Sequence, residues 1–237
     1  MHAPVDEKGF VQFFVALADT LNSGHDVLDS LDLLVQGSTT FTSASEAGIL
    51  LADRTGKFHV AASTSERSSA IEEAQLGFEE GPSVEAVRTG RTVEAPDIER
   101  TSGKWPAFST IAAARGFRAA HAVPLRAGGD IIGGLNLFST LPGALSHRDE
   151  ALAEALASFA TNSIEQYRRL QDHGTLREQL QGILEGRVLI EQAKGVLAQR
   201  HGVAMEEAFS LLRARARMTD KQLRDVAEGI VNQARQP

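Results

Sequence analysis

The feature that most constrains this chain is its C-terminal quarter, where apolar residues recur at helical spacing in three successive segments. The first includes residues 184–197, with Gly195 inside the helical pattern, and the second spans about 205–217. The third follows residues 219–222, which fit a capping box. Short amphipathic helices must bury their apolar faces against one another, so this part of the chain is predicted to be a three-helix bundle.

Basic side chains lie on the faces of these helices that point away from the apolar stripes. Arg187 and Lys194, for example, are seven residues apart and share a helix face. Such a surface is either an ordinary solvated face or a binding face, where Gly195 would let a phosphate backbone approach closely. The residues alone leave both interpretations open. The predicted surface consists of Arg187, Lys194, Arg213, Arg217, Lys221 and Arg224.

Charge and composition divide the chain and exclude several kinds of chemistry. Residues 174–237 carry ten basic and eight acidic side chains, whereas the rest of the chain has a net charge of −9. The absence of cysteine excludes disulfides, thiolate metal sites, cysteine nucleophiles and thioether-linked chromophores. No apolar run is long enough to span a bilayer, and the N-terminus lacks the signal-peptide pattern. We therefore expect a cytoplasmic protein with no membrane partner.

The front part of the chain alternates helical and strand-like segments, which predicts an α+β domain with an antiparallel sheet. The paired glycines Gly133 and Gly134 would weaken a strand interior, so they indicate a bulge or a close approach of another backbone. The predicted elements are helices over 9–21 and 26–35, a hairpin over 47–62, helices over 66–78 and 81–90, and a second hairpin over 118–140.

The same region shows no pattern typical of an enzyme. Three of its histidines, His59, His121 and His147, are scattered without metal-ligand spacing. His121, between two alanines, is typical of a structural residue. No nucleophile motif or phosphate-binding loop is present. We expect no catalytic residue, no metal site and no required cofactor.

Residues 146–183 are predicted to form a long connector helix that begins at a capping box, Ser146 to Asp149. Near-heptad apolar spacing favours a coiled coil that joins the two parts and pairs two subunits as a homodimer. The alternative is that residues 149–168 pack only on the sheet of their own chain. The predicted dimer seam consists of Leu152, Leu156, Phe159, Leu170, Leu176 and Leu180.

Three stretches of the front part, 81–90, 122–125 and 132–137, resemble GAF domains. The resemblance covers roughly residues 25–165 of a sensory domain predicted over 9–165. It implies a sheet with helices on one face and a small-molecule pocket on the other. A small-molecule ligand, not identified by the sequence, is therefore expected there. Many GAF domains have a cysteine where this chain has Ser83. Thiol redox sensing, methionine sulfoxide reduction and covalent bilin binding are therefore not expected.

Residues 180–235 resemble ANTAR domains in three ordered blocks, 193–197, 208–213 and 223–228. Members of that family bind paired RNA stem-loops in nascent transcripts as dimers, which disfavours a terminator hairpin and lets RNA polymerase read through. The chain departs from the family pattern at Ala204, Ala216 and Gln222. The resemblance implies that the RNA-binding signature includes Ala193, Lys194, Gly195 and Arg213.

Together, the patterns and resemblances predict an α+β protein with a GAF-like antiparallel sheet, a coiled-coil connector and a C-terminal three-helix ANTAR bundle. Its function would be transcription antitermination, with a signal in the front domain deciding whether two basic faces can hold two hairpins at once. Phe209 is expected in the core, so RNA contacts should involve phosphates and base edges rather than stacking. Two alternatives remain: a DNA-binding regulator that uses the same bundle, and a ligand-binding sensor whose C-terminal helices serve only dimerisation.

Overall fold

A computed structural model describes residues 7–22, 27–53, 55–170, 176–219 and 221–235. It has the predicted α+β architecture, in which helices surround a sheet of five strands. The strands are β1 (Glu46–Ala52), β2 (Phe58–Ser63), β3 (Val93–Ala95), β4 (Ala119–Ala127) and β5 (Asp130–Ser139). The helices are α1 (Glu7–Asn22), α2 (Val27–Phe41), α3 (Glu66–Phe78), α4 (Pro82–Thr89), α5 (Pro106–Ala114), α6 (His147–Leu170), α7 (Leu176–His201), α8 (Met205–Thr219) and α9 (Leu223–Ala234), with a 3-10 turn at Ile98–Thr101.

The strands form one antiparallel sheet in the order β2-β1-β5-β4-β3, and both predicted hairpins are confirmed. The glycine pair in β5 lies both at a close approach of another backbone and opposite a bulge, the two features that the sequence suggested. A β-carbon at Gly133 would overlap the backbone carbonyl of Leu50 in β1, so the two backbones approach closely there. The register of β4 against β5 also shifts between Leu125 and Arg126, opposite this position.

Apolar side chains from alternate positions of the strands pack on opposite faces of the sheet. On one face, Leu135 and Leu137 join a core that includes α1, α2 and α6. On the other, Phe138 joins a smaller cluster with Trp105 and Phe108. Helices α3, α4 and α5 pack on this second side of the sheet, the side for which the resemblance implied a small-molecule pocket.

The predicted coiled-coil seam lies largely inside the chain itself, so its assignment to a dimer is corrected here. Leu152, Leu156 and Leu180 are buried, and Phe159 packs partly against the same core. Helix α6 packs on α2 and β4, as in the alternative interpretation, because the apolar face of the sheet needs cover. The side chains of Leu170 and Leu176, with residues 171–175, lie outside the described part of the chain.

Of the two predicted capping boxes, only the first provides a helix cap. The Ser146 hydroxyl accepts a hydrogen bond from the Asp149 N–H at 3.1 Å, while the Asp149 carboxylate accepts one from Ser43 N–H at 3.1 Å. The second box is wrong, because α8 extends through Thr219, whose hydroxyl donates to the carbonyl of Arg215 at 2.8 Å. Helix α9 then begins after Gln222, with no side-chain cap.

Helices α7, α8 and α9 form the predicted three-helix bundle. Its buried residues include Ala208 and Leu212 from α8 and Leu223 and Ile230 from α9. The bundle also packs on the front domain, where α7 contacts α2, β1 and β2, and a single apolar core runs through both. None of the helices in the described ranges is long and apolar enough to cross a membrane.

Candidate nucleic-acid interface

Two of the predicted basic residues meet on one face of α7. Glu191 lies four residues after Arg187 and three before Lys194, so one helical turn separates it from each. The Arg187 guanidinium pairs with Glu191 Oε1, and Lys194 Nζ lies 2.7 Å from Glu191 Oε2. Both basic side chains are largely buried. Glu191 therefore holds two cations side by side.

Helix α8 brings a third cation, Arg213, to the same place. Arg213 and Lys194 both contact the ring of Phe209: Lys194 Nζ is 5.6 Å and Arg213 Cζ 5.4 Å from the ring centroid. The expectation that Phe209 belongs to the core is only partly right. The side chain of Phe209 packs against the core but is only partly buried, and two cations lie over its ring. We call Arg187, Lys194, Arg213 and Phe209 the basic cluster.

The cluster faces two carboxylates of α2, across the boundary between the two parts of the chain. Arg213 Nη1 lies 3.1 Å from Asp32 Oδ2, and Arg213 Nε lies 3.6 Å from Asp29 Oδ1. Asp32 is only 4% exposed, and this burial raises the pKa of its carboxyl. Arg213 acts in the opposite direction and lowers that pKa, as do Arg187 and Lys194 to a smaller extent. Arg213 thus contacts Asp32 directly, and the charges of all three cations act on its carboxyl.

Sequence reasoning did not find Asp29 and Asp32. A signal was present, because α2 carries these two acids three residues apart in a helix whose other residues are mostly apolar. A carboxylate in such a setting needs a cationic partner. The partner lies about 180 residues further along the chain, and no local pattern identifies it.

The remaining predicted RNA-binding residues do not all join the cluster. Ala193 is fully buried in the bundle core, so its predicted contact with RNA is wrong. Gly195 is exposed, and no described atom outside its own helix backbone would lie within 4 Å of a β-carbon there. Lys221 is exposed, whereas Arg224 packs beside Gly186 in a separate groove. The side chain of Arg217 lies outside the described residues.

Comparison with known families agrees with this division of the chain. Residues 24–165 match the model of the GAF domain, and residues 178–231 match that of the ANTAR domain. The chain is a GAF–ANTAR protein. This pair of domains places it among the signal-transduction regulators of transcription antitermination, whose output domain binds RNA.

Solved structures similar to this GAF–ANTAR protein share the fold of its front domain. One is the GAF domain of a phosphoenolpyruvate-protein phosphotransferase from Acinetobacter, with 16% identity over 69% of this chain and 97% of that one, and a TM-score of 0.52. Another is the free methionine-R-sulfoxide reductase from Neisseria meningitidis, with 21% identity over 67% and 87% and a TM-score of 0.50. A third is the chromophore-binding domain of a bacteriophytochrome from R. palustris, with 14% identity over 72% and 64% and a TM-score of 0.53. No curated protein is significantly similar to the chain.

Within the GAF domain, a buried polar network lies between the sheet and α3. Asn136 Nδ2 donates a hydrogen bond to Glu72 Oε1 at 2.7 Å, and burial raises the pKa of Glu72 to about 8. Next to it, Gln75 Nε2 donates to the Ser83 hydroxyl at 2.9 Å. Ser83, which stands where many GAF domains have cysteine, therefore binds α3 to the start of α4.

Three described histidines of the GAF domain lie apart, each beside its own carboxylate. His121 Nδ1 is 3.1 Å from Glu94, His59 Nε2 is 2.8 Å from Asp53, and the exposed His147 is 3.2 Å from Glu150. Burial lowers the pKa of His121, while Glu94 raises it. No group of three potential metal ligands occurs within the ranges that the structure describes.

Proposed function

We propose that this GAF–ANTAR protein binds paired RNA stem-loops in nascent transcripts and thereby lets RNA polymerase pass a terminator. The observation that carries the proposal is the convergence of Arg187, Lys194 and Arg213 around Phe209. A hairpin loop presents unstacked bases and closely spaced phosphates, and this combination of cations and one aromatic ring suits both. RNA polymerase would respond indirectly, because the protein alters the transcript rather than the enzyme.

Each chemical group of the cluster has a distinct task in this function. The guanidinium groups of Arg187 and Arg213 can donate two hydrogen bonds to one phosphate, whereas Lys194 supplies a point charge. Phe209 offers a surface on which an unpaired base can stack, which the sequence had not predicted. Gly195 leaves open space beside Lys194, where the sugar-phosphate backbone can come close.

In the same proposal, the GAF domain controls RNA binding. The protein acts in the cytoplasm as a homodimer, which supplies two RNA-binding bundles. A small-molecule ligand of the GAF domain would serve as the signal, and the domain would perform no catalysis. Two linked ANTAR bundles would hold two hairpins at once, because binding of the second becomes intramolecular. The oligomeric state in solution, measured by light scattering, tests the dimer separately from RNA binding.

Crosslinking of the full chain to cellular RNA, followed by sequencing, tests the function. The expected result is enrichment of closely spaced hairpin pairs upstream of terminators. Lys194→Gln should strongly reduce this enrichment because it removes a phosphate contact, whereas Arg91→Gln, an exposed change in the GAF domain, should preserve it. Equal enrichment in wild type and Lys194→Gln would show that the assigned face is wrong. Stronger binding to duplex DNA in competition would favour the DNA-binding alternative.

A further inference from the structure

Helix α2 of the GAF domain and the ANTAR bundle fit together at two independent points. The first is electrostatic, where Asp29 and Asp32 face Arg213. The second is steric: a β-carbon at Gly186 of α7 would lie 2.9 Å from Leu28 Cδ1, so the glycine lets α7 lie directly on α2. Charge complementarity and close packing thus both dock the bundle on the same helix.

In the docked arrangement, little of the three cations that RNA would contact is exposed to solvent. The Lys194 side chain is 11% exposed and that of Arg187 is 14% exposed. Arg213, at 25%, has its guanidinium turned towards Asp29 and Asp32. A phosphate oxygen that bound Arg213 would have to take the place of the Asp32 carboxylate, because both are anions that accept hydrogen bonds from the same guanidinium. Arg187 and Lys194 are paired with Glu191 of their own helix and flank this position.

Building on the proposed function, we infer that Asp29 and Asp32 are an internal competitor for RNA phosphate. The docked arrangement is the RNA-excluding form of the protein, and RNA binds a form in which α2 has separated from α7 and α8. Apparent RNA affinity then equals the intrinsic affinity multiplied by the fraction of molecules that are open. Any signal that loosens α2 from the bundle raises RNA affinity, whereas tighter docking lowers it.

RNA affinity of the full chain tests this competition, with a pool of double-hairpin RNAs of randomised loop sequence as the probe. Asp29→Asn and Asp32→Asn together keep the size of the side chains and remove both charges. We expect the double variant to bind about tenfold more tightly than wild type. Glu154→Gln, which neutralises an exposed acid of α6, should leave the affinity unchanged. Adding Lys194→Gln to the double variant should remove the gain.

A second route to the open form changes no charge. Gly186→Leu places a bulky side chain between α7 and Leu28 and should also raise RNA affinity. Gly229→Leu, on the exposed side of α9, is the matched control, since no described atom outside its own helix backbone would lie within 4 Å of a β-carbon there. Equal affinities for the two leucine variants would contradict the steric half of the inference.

Opening can also be measured without RNA, because the chain contains no cysteine and two can be introduced for spin labels. Glu73 in α3 and Glu185 in α7 are exposed and line the same cleft between the domains. Labels there should report a longer distance in the Asp29→Asn/Asp32→Asn and Gly186→Leu variants than in wild type. Circular dichroism checks that each variant is folded.

The two readouts separate the possible failures. If Lys194-dependent RNA binding is found but neither distance nor affinity changes in the variants, the internal competitor is overturned and the proposed function stands. If the variants open yet no form of the chain binds any hairpin RNA, the proposed function is wrong. The inference that Asp29 and Asp32 compete with RNA is then wrong as well. Longer distances between the spin labels, together with tighter RNA binding that depends on Lys194, would support both the proposed function and the internal competitor.

Discussion

Two buried carboxylates, Glu72 and Asp32, show how differently this protein treats an acid removed from water. Glu72 lies inside the GAF domain, where its neighbour Asn136 is neutral and burial raises its pKa to about 8. Asp32 lies at the boundary between the domains, where burial also raises the pKa but three cations from the ANTAR domain oppose that rise.

The two carboxyls differ in what compensates the cost of burying them. The burial of Glu72 is compensated by protonation of its carboxyl, which requires no group from another domain. Asp32 is paired with Arg213, and Arg187 and Lys194 also lower its pKa, so the charges that compensate its burial come from the other domain. A carboxylate stabilised within one domain strengthens that domain, whereas one stabilised across a boundary couples the positions of two domains.

The largest effect expected from this comparison is a pH dependence caused by Glu72. The folded state keeps a proton that the unfolded chain releases above its usual pKa of 4.5. The contribution of Glu72 to stability is therefore complete below about pH 4.5 and is lost as the pH rises through 8. Between these values wild type should lose on the order of 1 kcal/mol per pH unit relative to Glu72→Gln. Denaturant unfolding at several pH values measures the difference, and parallel curves for the two proteins would show that Glu72 is ionised in the fold.

A somewhat smaller effect is expected when Arg213 is replaced. Arg213→Met leaves Asp32 buried without its nearest cation and should destabilise the chain by about 2 kcal/mol, since removal of one partner from a buried pair is costly. Asp32→Asn in the same chain should recover most of the loss, because the unpaired charge is gone. Thermal unfolding of the single and double variants measures this coupling. Additive losses would show that the two side chains do not depend on each other.

The smallest effect concerns the salt dependence of RNA binding in the open Asp29→Asn/Asp32→Asn background. Each phosphate contact adds about 0.7 to 0.9 to the slope of log affinity against log salt concentration. Lys194→Gln should reduce that slope by about one contact, whereas Glu72→Gln, inside the GAF domain, should leave it unchanged. Titrations at several salt concentrations provide the slopes, and an unchanged slope for Lys194→Gln would remove Lys194 from the interface.

The fold was predictable from sequence because its signals are local. Alternating and helical periodicities located both hairpins and the bundle helices within a few residues of their observed bounds. The seam through Leu152 and Leu156 was assigned to a dimer because near-heptad spacing fits a helix on a sheet as well as a coiled coil. Spacing describes which face is apolar, not what covers it.

The candidate site was only half predictable for a similar reason. Its basic half, Lys194 and Arg213, belongs to a motif that can be recognised in order along the chain. Its acidic half, Asp29 and Asp32, comes from another domain and becomes visible only when the chain is folded. Ala193 was assigned to RNA binding because the motif includes it, although its small side chain is buried in the bundle.

The most direct test of the competition between Asp32 and RNA is a titration of double-hairpin RNA into the chain spin-labelled at Glu73 and Glu185, otherwise wild type. Linkage requires that, if docking excludes RNA, RNA must also disfavour docking. The short distance between the labels should therefore give way to a longer one as RNA saturates the protein. A distance that stays short at saturation would show that RNA binds the docked form, and that Asp32 does not compete for the basic cluster.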